Sequence, residues 1–165
     1  NLDLYQVNCT FHDALGGDDA AYLAARALQF WLPGVPQVYY VGLLAGRNDL
    51  DLLARSGVGR DINRHHYSRA EIDAELQRPV VQQLCELIRL RNSHPAFGGQ
   101  FSVEDSDAGR LVLRWQHGTA SATLEVDLAA RRGAVHLQDG HDSRVMALSC
   151  TGCNRFGAPA ALAAG

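Results

Sequence analysis

The stretch LPGVPQVYY, residues 32–40, decides the fold of this chain. The pair Pro33-Gly34 is a turn signal that ends the preceding helix. The β-branched and aromatic residues that follow, over residues 35–41, are typical of a short strand that is buried on both faces. A helix, a tight turn and a buried strand in this order predict half of an α/β unit with a parallel sheet.

The residues on either side of this stretch predict two helices. The first is capped by Asp18 or Asp19 and extends to about Trp31, because its apolar residues recur at spacings of three and four. The second begins at Pro79, a residue suited to the first turn of a helix, and ends at His94, which precedes another proline.

The connection between the predicted strand and the second helix, residues 42–77, is long for a compact domain and indicates a functional loop. Ser68 followed by Glu71 predicts a capping box, and so a short helix, within it. The connection also contains Arg64, His65 and His66, which cluster near Asp61 in the sequence. Adjacent histidines point in different directions in most backbones and no third ligand has suitable spacing, so we expect a hydrogen-bonded loop and no metal site.

The character of the sequence changes after residue 96. Four β-rich runs follow, at residues 101–103, 111–115, 122–126 and 134–137. They predict a small antiparallel module, because Asp/Gly turns or charged stretches separate them. We therefore expect an α/β part over residues 1–96, a β domain over residues 97–148 and a disordered tail over residues 149–165. The lone Cys150-x-x-Cys153 pair in the tail has no second pair, so we expect it to be incidental.

Composition excludes several classes of protein. The chain has 165 residues, 47% hydrophobic content and a formal net charge of −3, without the basic stripe that nucleic-acid binding needs. Its apolar stretches are interrupted before they could span a membrane. No signal peptide is visible and the cysteines are few, so we expect a cytoplasmic protein with reduced thiols. The missing initiator Met indicates that the true N-terminus lies elsewhere.

Three stretches together resemble a known family. Residues 33–40, with the pattern Pro-Gly-x-Pro-x-x-Tyr-Tyr, resemble the segment that leads into the last barrel strand of the α-amylase superfamily, glycoside hydrolase family 13. Residues 1–8, NLDLYQVN, resemble the acceptor-site loop of the sucrose phosphorylases, and residues 41–49 with 59–65 are similar to that family's loop after the eighth strand. The resemblance implies an α/β fold: the C-terminal part of a (β/α)8 TIM barrel over residues 1–96, followed by a small antiparallel β domain.

The resemblance also implies a reaction. Sucrose phosphorylases are retaining glucosyltransferases that convert sucrose and phosphate to glucose 1-phosphate and fructose, which requires two carboxyl groups on opposite sides of the scissile bond. The family's catalytic carboxylates lie upstream of the matched region, so we expect no catalytic residue here and no activity of the chain alone. The pair His12-Asp13 follows the acceptor loop and is not assigned to the family's catalytic His-Asp pair. We expect no cofactor.

Four residues are expected to bind substrate on the strength of the resemblance. Arg60 matches the arginine that hydrogen-bonds the glucosyl hydroxyls, as a planar guanidinium can. Asp3, Tyr5 and Gln6 match the mobile acceptor loop, which faces fructose or phosphate. On spacing alone, a surface arginine and a polar loop with a packed tyrosine explain the same residues.

Other functions stay open at this point. Sucrose 6′-phosphate, glucosylglycerol or glucosylglycerate could replace sucrose, although the absence of Lys and Arg from residues 1–22 favours a neutral acceptor. A non-catalytic truncated product is the alternative, and it would expose apolar faces that the missing barrel units should cover. Related phosphorylases are often homodimers, but no patch in this sequence indicates one.

Overall fold

The computed structural model of the chain describes residues 7–149. These residues contain the helices α1 (Phe11–Ala14), α2 (Asp19–Trp31), α3 (Tyr40–Leu43), α4 (Leu50–Ser56), α5 (Arg69–Glu75) and α6 (Pro79–Ser93), and two 3₁₀ helices, Gly59–Asn63 and Pro95–Gly98. The strands are β1 (Gln100–Glu104), β2 (Arg110–His117), β3 (Ala120–Asp127), β4 (Arg132–Asp139) and β5 (Asp142–Leu148).

The helix boundaries follow local chemistry, as predicted. The carboxylate of Asp18 caps α2 by accepting hydrogen bonds from the backbone N–H groups of Ala20 and Ala21. The capping box of Ser68 and Glu71 is present at the start of α5. Helix α6 begins at Pro79. It buries one face, whose fully buried members are Val80, Val81, Leu84 and Leu87.

The strands form one antiparallel sheet in the order β1-β2-β3-β4-β5, so each strand pairs with its neighbour in sequence. The four predicted β-rich runs correspond to β1–β4, whereas β5 was not predicted. Six of the seven side chains of β5 are not buried, and without a buried alternate row the chain lacks the period-2 pattern that identifies a strand. Its pairing with β4 follows from the tight turn at Gly140, which has a φ of 60°.

Two tryptophans join the helices to the sheet. The indole N–H of Trp31, at the end of α2, donates to the Ala122 carbonyl on β3 at 3.0 Å. The indole N–H of Trp115 on β2 donates to the Trp31 carbonyl at 2.6 Å. Both are core residues, and one hydrophobic core contains side chains from α2, α6 and the sheet. The division into units over residues 1–96 and 97–148 stays a prediction.

The predicted buried strand over residues 35–41 is not formed in this chain. Val35 is 91% exposed, Tyr39 is 54% exposed, and the chain enters α3 at Tyr40. A strand within a sheet needs an adjacent strand along each edge to pair its backbone N–H and C=O groups. Among residues 7–149, every strand belongs to the antiparallel sheet, so residues 35–41 have no such partner there. The described residues therefore form helices packed on an antiparallel sheet, and the barrel stays a proposal.

Within the described part of the chain, no helix has both the length and the apolar content required to cross a membrane.

Candidate functional site

The structure describes one of the four predicted site residues. Asp3, Tyr5 and Gln6 lie outside the described residues, as do Cys150 and Cys153. Arg60 lies on the 3₁₀ helix Gly59–Asn63, and its side chain is exposed. Its role in binding stays a prediction.

The 3₁₀ helix buries one face and leaves Arg60 exposed on the other. Gly59 and Ile62 are buried on either side of it. The Ile62 carbonyl accepts a hydrogen bond from the backbone N–H of Asp49 at 2.7 Å. Asp49 directly precedes α4, so this bond joins the 3₁₀ helix to the start of α4. Residues 42–68 are here called the Arg60 segment.

Asn48 joins the Arg60 segment to the residues that directly follow the predicted acceptor loop. Its side-chain oxygen accepts from the backbone N–H of Thr10 at 2.7 Å, and its own backbone N–H donates to Asp13 Oδ2 at 2.7 Å. Thr10 is buried. These two bonds, one to the Asn48 side chain and one from its backbone, join residues that are 35 or more positions apart and fix the distance between the two segments.

A second link runs through Arg26, which is buried on α2. Its guanidinium lies 4.4 Å from the Phe11 ring centroid and 5.1 Å from that of Tyr22. It donates to the Tyr22 hydroxyl at 2.9 Å, and that hydroxyl donates to the Gly42 carbonyl at the start of the Arg60 segment. A Cβ at position 42 would overlap Arg26 Nη2, so a larger residue there would displace the guanidinium. Burial raises the pKa of the Tyr22 phenol.

His12 belongs to the packing of α1 against α2. It is buried, and its Nε2 lies 2.8 Å from Asp19 Oδ1. Its ring lies 5.3 Å from that of Tyr22, edge to face. Its Nδ1 is 4.0 Å from the Asp13 carboxylate, too far for a hydrogen bond.

His65 is the centre of a polar cluster within the Arg60 segment. Its Nδ1 lies 2.6 Å from Asp49 Oδ2 and its Nε2 lies 3.4 Å from Glu71 Oε1. The hydrogen bond with Asp49 is the main cause that raises the His65 pKa, and the same bond lowers the pKa of Asp49. The ring also packs edge to face on Tyr67 at 4.5 Å. The predicted hydrogen-bonded loop is thus present, with Asp49 and Glu71 as its partners.

Among residues 7–149, no group of three or more His, Cys, Asp or Glu side chains is arranged to hold a metal ion.

A groove of about 750 Å³ lies elsewhere, between α6 and the β4–β5 hairpin. Cys85, His94 and Arg144 line it, and it shares no lining residue with the Arg60 segment.

The chain is similar in sequence to several glucoside phosphorylases. It is 55% identical over 142 residues to a sucrose phosphorylase of Agrobacterium vitis, covering 86% of this chain and 29% of that protein. It is 57% identical over 124 residues to a sucrose phosphorylase of Bifidobacterium adolescentis, covering 75% and 25%. Proteins named glucosylglycerol phosphorylase and sucrose 6(F)-phosphate phosphorylase also match, at 46% and 50% identity. No protein-family model matches the chain.

The structure is similar as well. A crystal structure of sucrose 6F-phosphate phosphorylase from Thermoanaerobacter thermosaccharolyticum matches with a TM-score of 0.83 and 43% identity, over 86% of this chain and 29% of that one. The chain spans less than a third of the length of these relatives. Over its matched residues, the chain is therefore a homologue of the sucrose phosphorylases and the related glucoside phosphorylases.

Proposed function

We propose that this chain is the carboxy-terminal portion of a sucrose phosphorylase of glycoside hydrolase family 13, which converts sucrose and phosphate to glucose 1-phosphate and fructose. The observation that carries the proposal is the link through Asn48. It joins the residues directly after the predicted acceptor loop to the segment that bears Arg60, with two hydrogen bonds of 2.7 Å. The bonds support the proposal because Thr10 and Asp13, which follow the predicted acceptor loop, lie against the segment that bears Arg60.

In this proposal, residues 35–39, the part of the predicted strand that precedes α3, would pair as the last strand of a (β/α)8 barrel whose other strands come from an upstream part of the polypeptide. The exposed Val35 and Tyr39 support this, because a β-branched and aromatic run is rarely left in water unless it has a partner. Helices α2 and α6 would be barrel helices on either side of that strand, and the sheet β1–β5 would be the small C-terminal domain.

The chemistry requires groups from upstream. Retention at the anomeric carbon needs one carboxylate that attacks and one carboxyl group that protonates the leaving oxygen and then deprotonates phosphate. We assign neither to this chain, which would by itself be inactive. Its contribution is to hold the sugar in the reactive geometry, a positioning effect.

Each predicted site residue has a physical role in this scheme. Arg60 would hold two neighbouring glucosyl hydroxyls with its planar guanidinium. Gln6 offers a donor and an acceptor to fructose, and Tyr5 offers a flat face and one hydroxyl. Asp3 would move away when phosphate binds, because two anions repel. The ligands are sugars and inorganic phosphate.

A cytoplasmic location fits the thiols, since Cys9 and Cys85 are free among the described residues. A homodimer stays an expectation from the resemblance.

The test is an assay of the longer protein that contains this chain, with sucrose and phosphate as substrates and glucose 1-phosphate as the measured product. We expect turnover in the longer protein and none in the 165-residue chain. Arg60→Ala should lower kcat/KM by about 100-fold, the order expected when a positioning contact is lost. Arg69→Ala, a matched arginine that is 87% exposed on α5, should leave kcat/KM unchanged.

Two results would contradict the proposal. Equal kcat/KM for Arg60→Ala and Arg69→Ala would remove Arg60 from the pocket. Product from glucosylglycerol, glucosylglycerate or sucrose 6′-phosphate but not from sucrose would assign the chain to another phosphorylase of the same class, as the names of its relatives allow.

A further inference from the structure

His65 presents both of its ring nitrogens to carboxylates. Nδ1 lies 2.6 Å from Asp49 Oδ2, and Nε2 lies 3.4 Å from Glu71 Oε1. A neutral imidazole has a single N–H, so its second nitrogen would turn a lone pair toward an anionic oxygen. Only the imidazolium form can donate to Asp49 and also turn an N–H toward Glu71, so this arrangement favours a protonated ring.

The two carboxylates use their remaining oxygens to cap helices. Asp49 Oδ1 accepts from the backbone N–H of Leu52 at 2.7 Å and caps α4. Glu71 Oε2 accepts from the backbone N–H of Ser68 at 2.6 Å in the capping box of α5. His65 therefore connects the N-termini of two helices that lie on opposite sides of Arg60 in sequence.

The same residues reach the helix that carries Arg60. The backbone N–H of Asp49 donates to the Ile62 carbonyl at 2.7 Å, which holds that helix two residues beyond Arg60. On the other side, the His65 carbonyl accepts from the Tyr40 hydroxyl at 3.0 Å. The start and the end of the Arg60 segment are thus joined by the contacts of Asp49 with Ile62 and with His65.

We propose that His65 is the positioning residue for Arg60: its imidazolium joins Asp49 to Glu71, and Asp49 in turn holds the 3₁₀ helix that presents Arg60. We call the contacts of His65 with Asp49 and Glu71 the clasp. The expected effect on sugar binding rests on the proposed function, whereas the clasp itself does not.

The clasp has a defined pH range. The raised pKa of His65 means that its contribution is complete below the ordinary value of 6.5 and is lost as pH rises through the raised pKa. The capping bonds at Ser68 first, and then His65, lower the pKa of Glu71, and that of Asp49 is lowered as well. Their contributions are complete above the ordinary values of 4.5 and 3.8 and are lost in acid.

Two phenols and several charged side chains also face the clasp. Burial raises the pKa of Tyr40 to about 12, and that of Tyr67 is raised too, so both phenols stay neutral. The positive charge of Arg55 acts on Asp49, and that of Arg64 acts on Tyr40. Glu75 and Arg78 act on Tyr67 with opposite signs. Within the clasp, His65 is the group to follow, because its pKa is raised from 6.5.

The first experiment is an NMR titration of the His65 ring in the 165-residue chain, together with exchange of the Asp49 amide. We expect a His65 pKa above 6.5 in the unmodified chain. The protection of the Asp49 amide should fall as pH rises through that pKa, by about tenfold per unit of pKa elevation, beyond the ordinary base catalysis of exchange. The clasp would be overturned by a His65 pKa at or below 6.5. It would also be overturned if the protection of the Asp49 amide did not change as His65 titrates.

Variants separate the clasp from simple loss of a cap. Asn is as good an N-cap as Asp, so Asp49→Asn keeps the cap of α4 while it removes the charge, and it should bring the His65 pKa down. Glu71→Gln keeps a capping box and should lower the His65 pKa less. The control is His66→Gln at the exposed neighbouring residue, which should change neither readout.

The second experiment uses the longer enzyme and measures KM and kcat for the glucoside. His65→Gln should raise KM by about tenfold with a smaller change in kcat, and the effect should disappear in an Arg60→Ala background, because the two residues act in series. An unchanged KM in an active enzyme would refute the positioning role. If the titration is as expected but the longer protein phosphorylyses no glucoside, the proposed function fails and the clasp stands.

Discussion

Trp115→Phe tests whether the helices and the sheet form one cooperative unit. The substitution removes the indole N–H that donates to the Trp31 carbonyl at 2.6 Å, inside the core. That carbonyl lies in the last turn of α2, where no backbone donor follows, so it would lose its partner. The phenyl ring can still pack on Phe97 and Phe101, whose ring centroids lie 5.9 and 5.4 Å from that of Trp115.

The loss in the free energy of unfolding follows from these contacts. An unsatisfied buried carbonyl costs about 1–3 kcal/mol. The smaller ring gives up roughly 1 kcal/mol of burial. The sum is about 3 kcal/mol, which corresponds to a fall of about 1.5 M in the urea midpoint when the m-value is about 2 kcal/mol/M.

The assay is urea denaturation of the 165-residue chain, followed by far-UV circular dichroism and by the fluorescence of the remaining Trp31. Leu128→Ala, at a side chain that is 52% exposed, is the control and should change stability by less than about 0.5 kcal/mol. We expect one coincident transition in both probes, shifted only by Trp115→Phe. A shift no larger than that of the control, or two separate transitions, would refute the coupling and favour independent units over residues 1–96 and 97–148.

Two further predictions concern single positions. Gly42→Ala should destabilise the chain by about 1–3 kcal/mol, because its Cβ overlaps Arg26 Nη2, whereas Gly98→Ala meets no atom within 4 Å; equal midpoints in thermal unfolding would contradict this. The pKa of Asp18 is lowered, first by the hydrogen bond from the Ala21 amide, so its contribution is complete above 3.8 and is lost as pH falls. Asp18→Asn keeps a capping oxygen and should flatten that acid loss in a circular-dichroism pH titration; an unchanged acid limb would show that Asp18 does not cause it.

The sequence alone determined the features that depend on residues close together in the chain. Asp18, the Ser68–Glu71 capping box and Pro79 specify helix starts within one turn, so their interactions do not depend on the rest of the fold. Strands β1–β4 were predicted because each has at least a partial period of two, and Asp/Gly turns separate them. The resemblance to the sucrose phosphorylases likewise lies in continuous stretches.

Only the tertiary structure decided the contacts between distant residues. Asn48 meets Thr10 across 38 positions, and Trp31 meets Ala122 across 91. No local pattern encodes such pairs, because they depend on where the intervening elements pack. Strand formation at residues 35–41 failed for the same reason: its propensity is local, but its hydrogen bonds require neighbouring strands, and the described residues supply none beside it. His65 shows the same distinction, since its ring can titrate in any sequence, but only the fold places a carboxylate at each nitrogen.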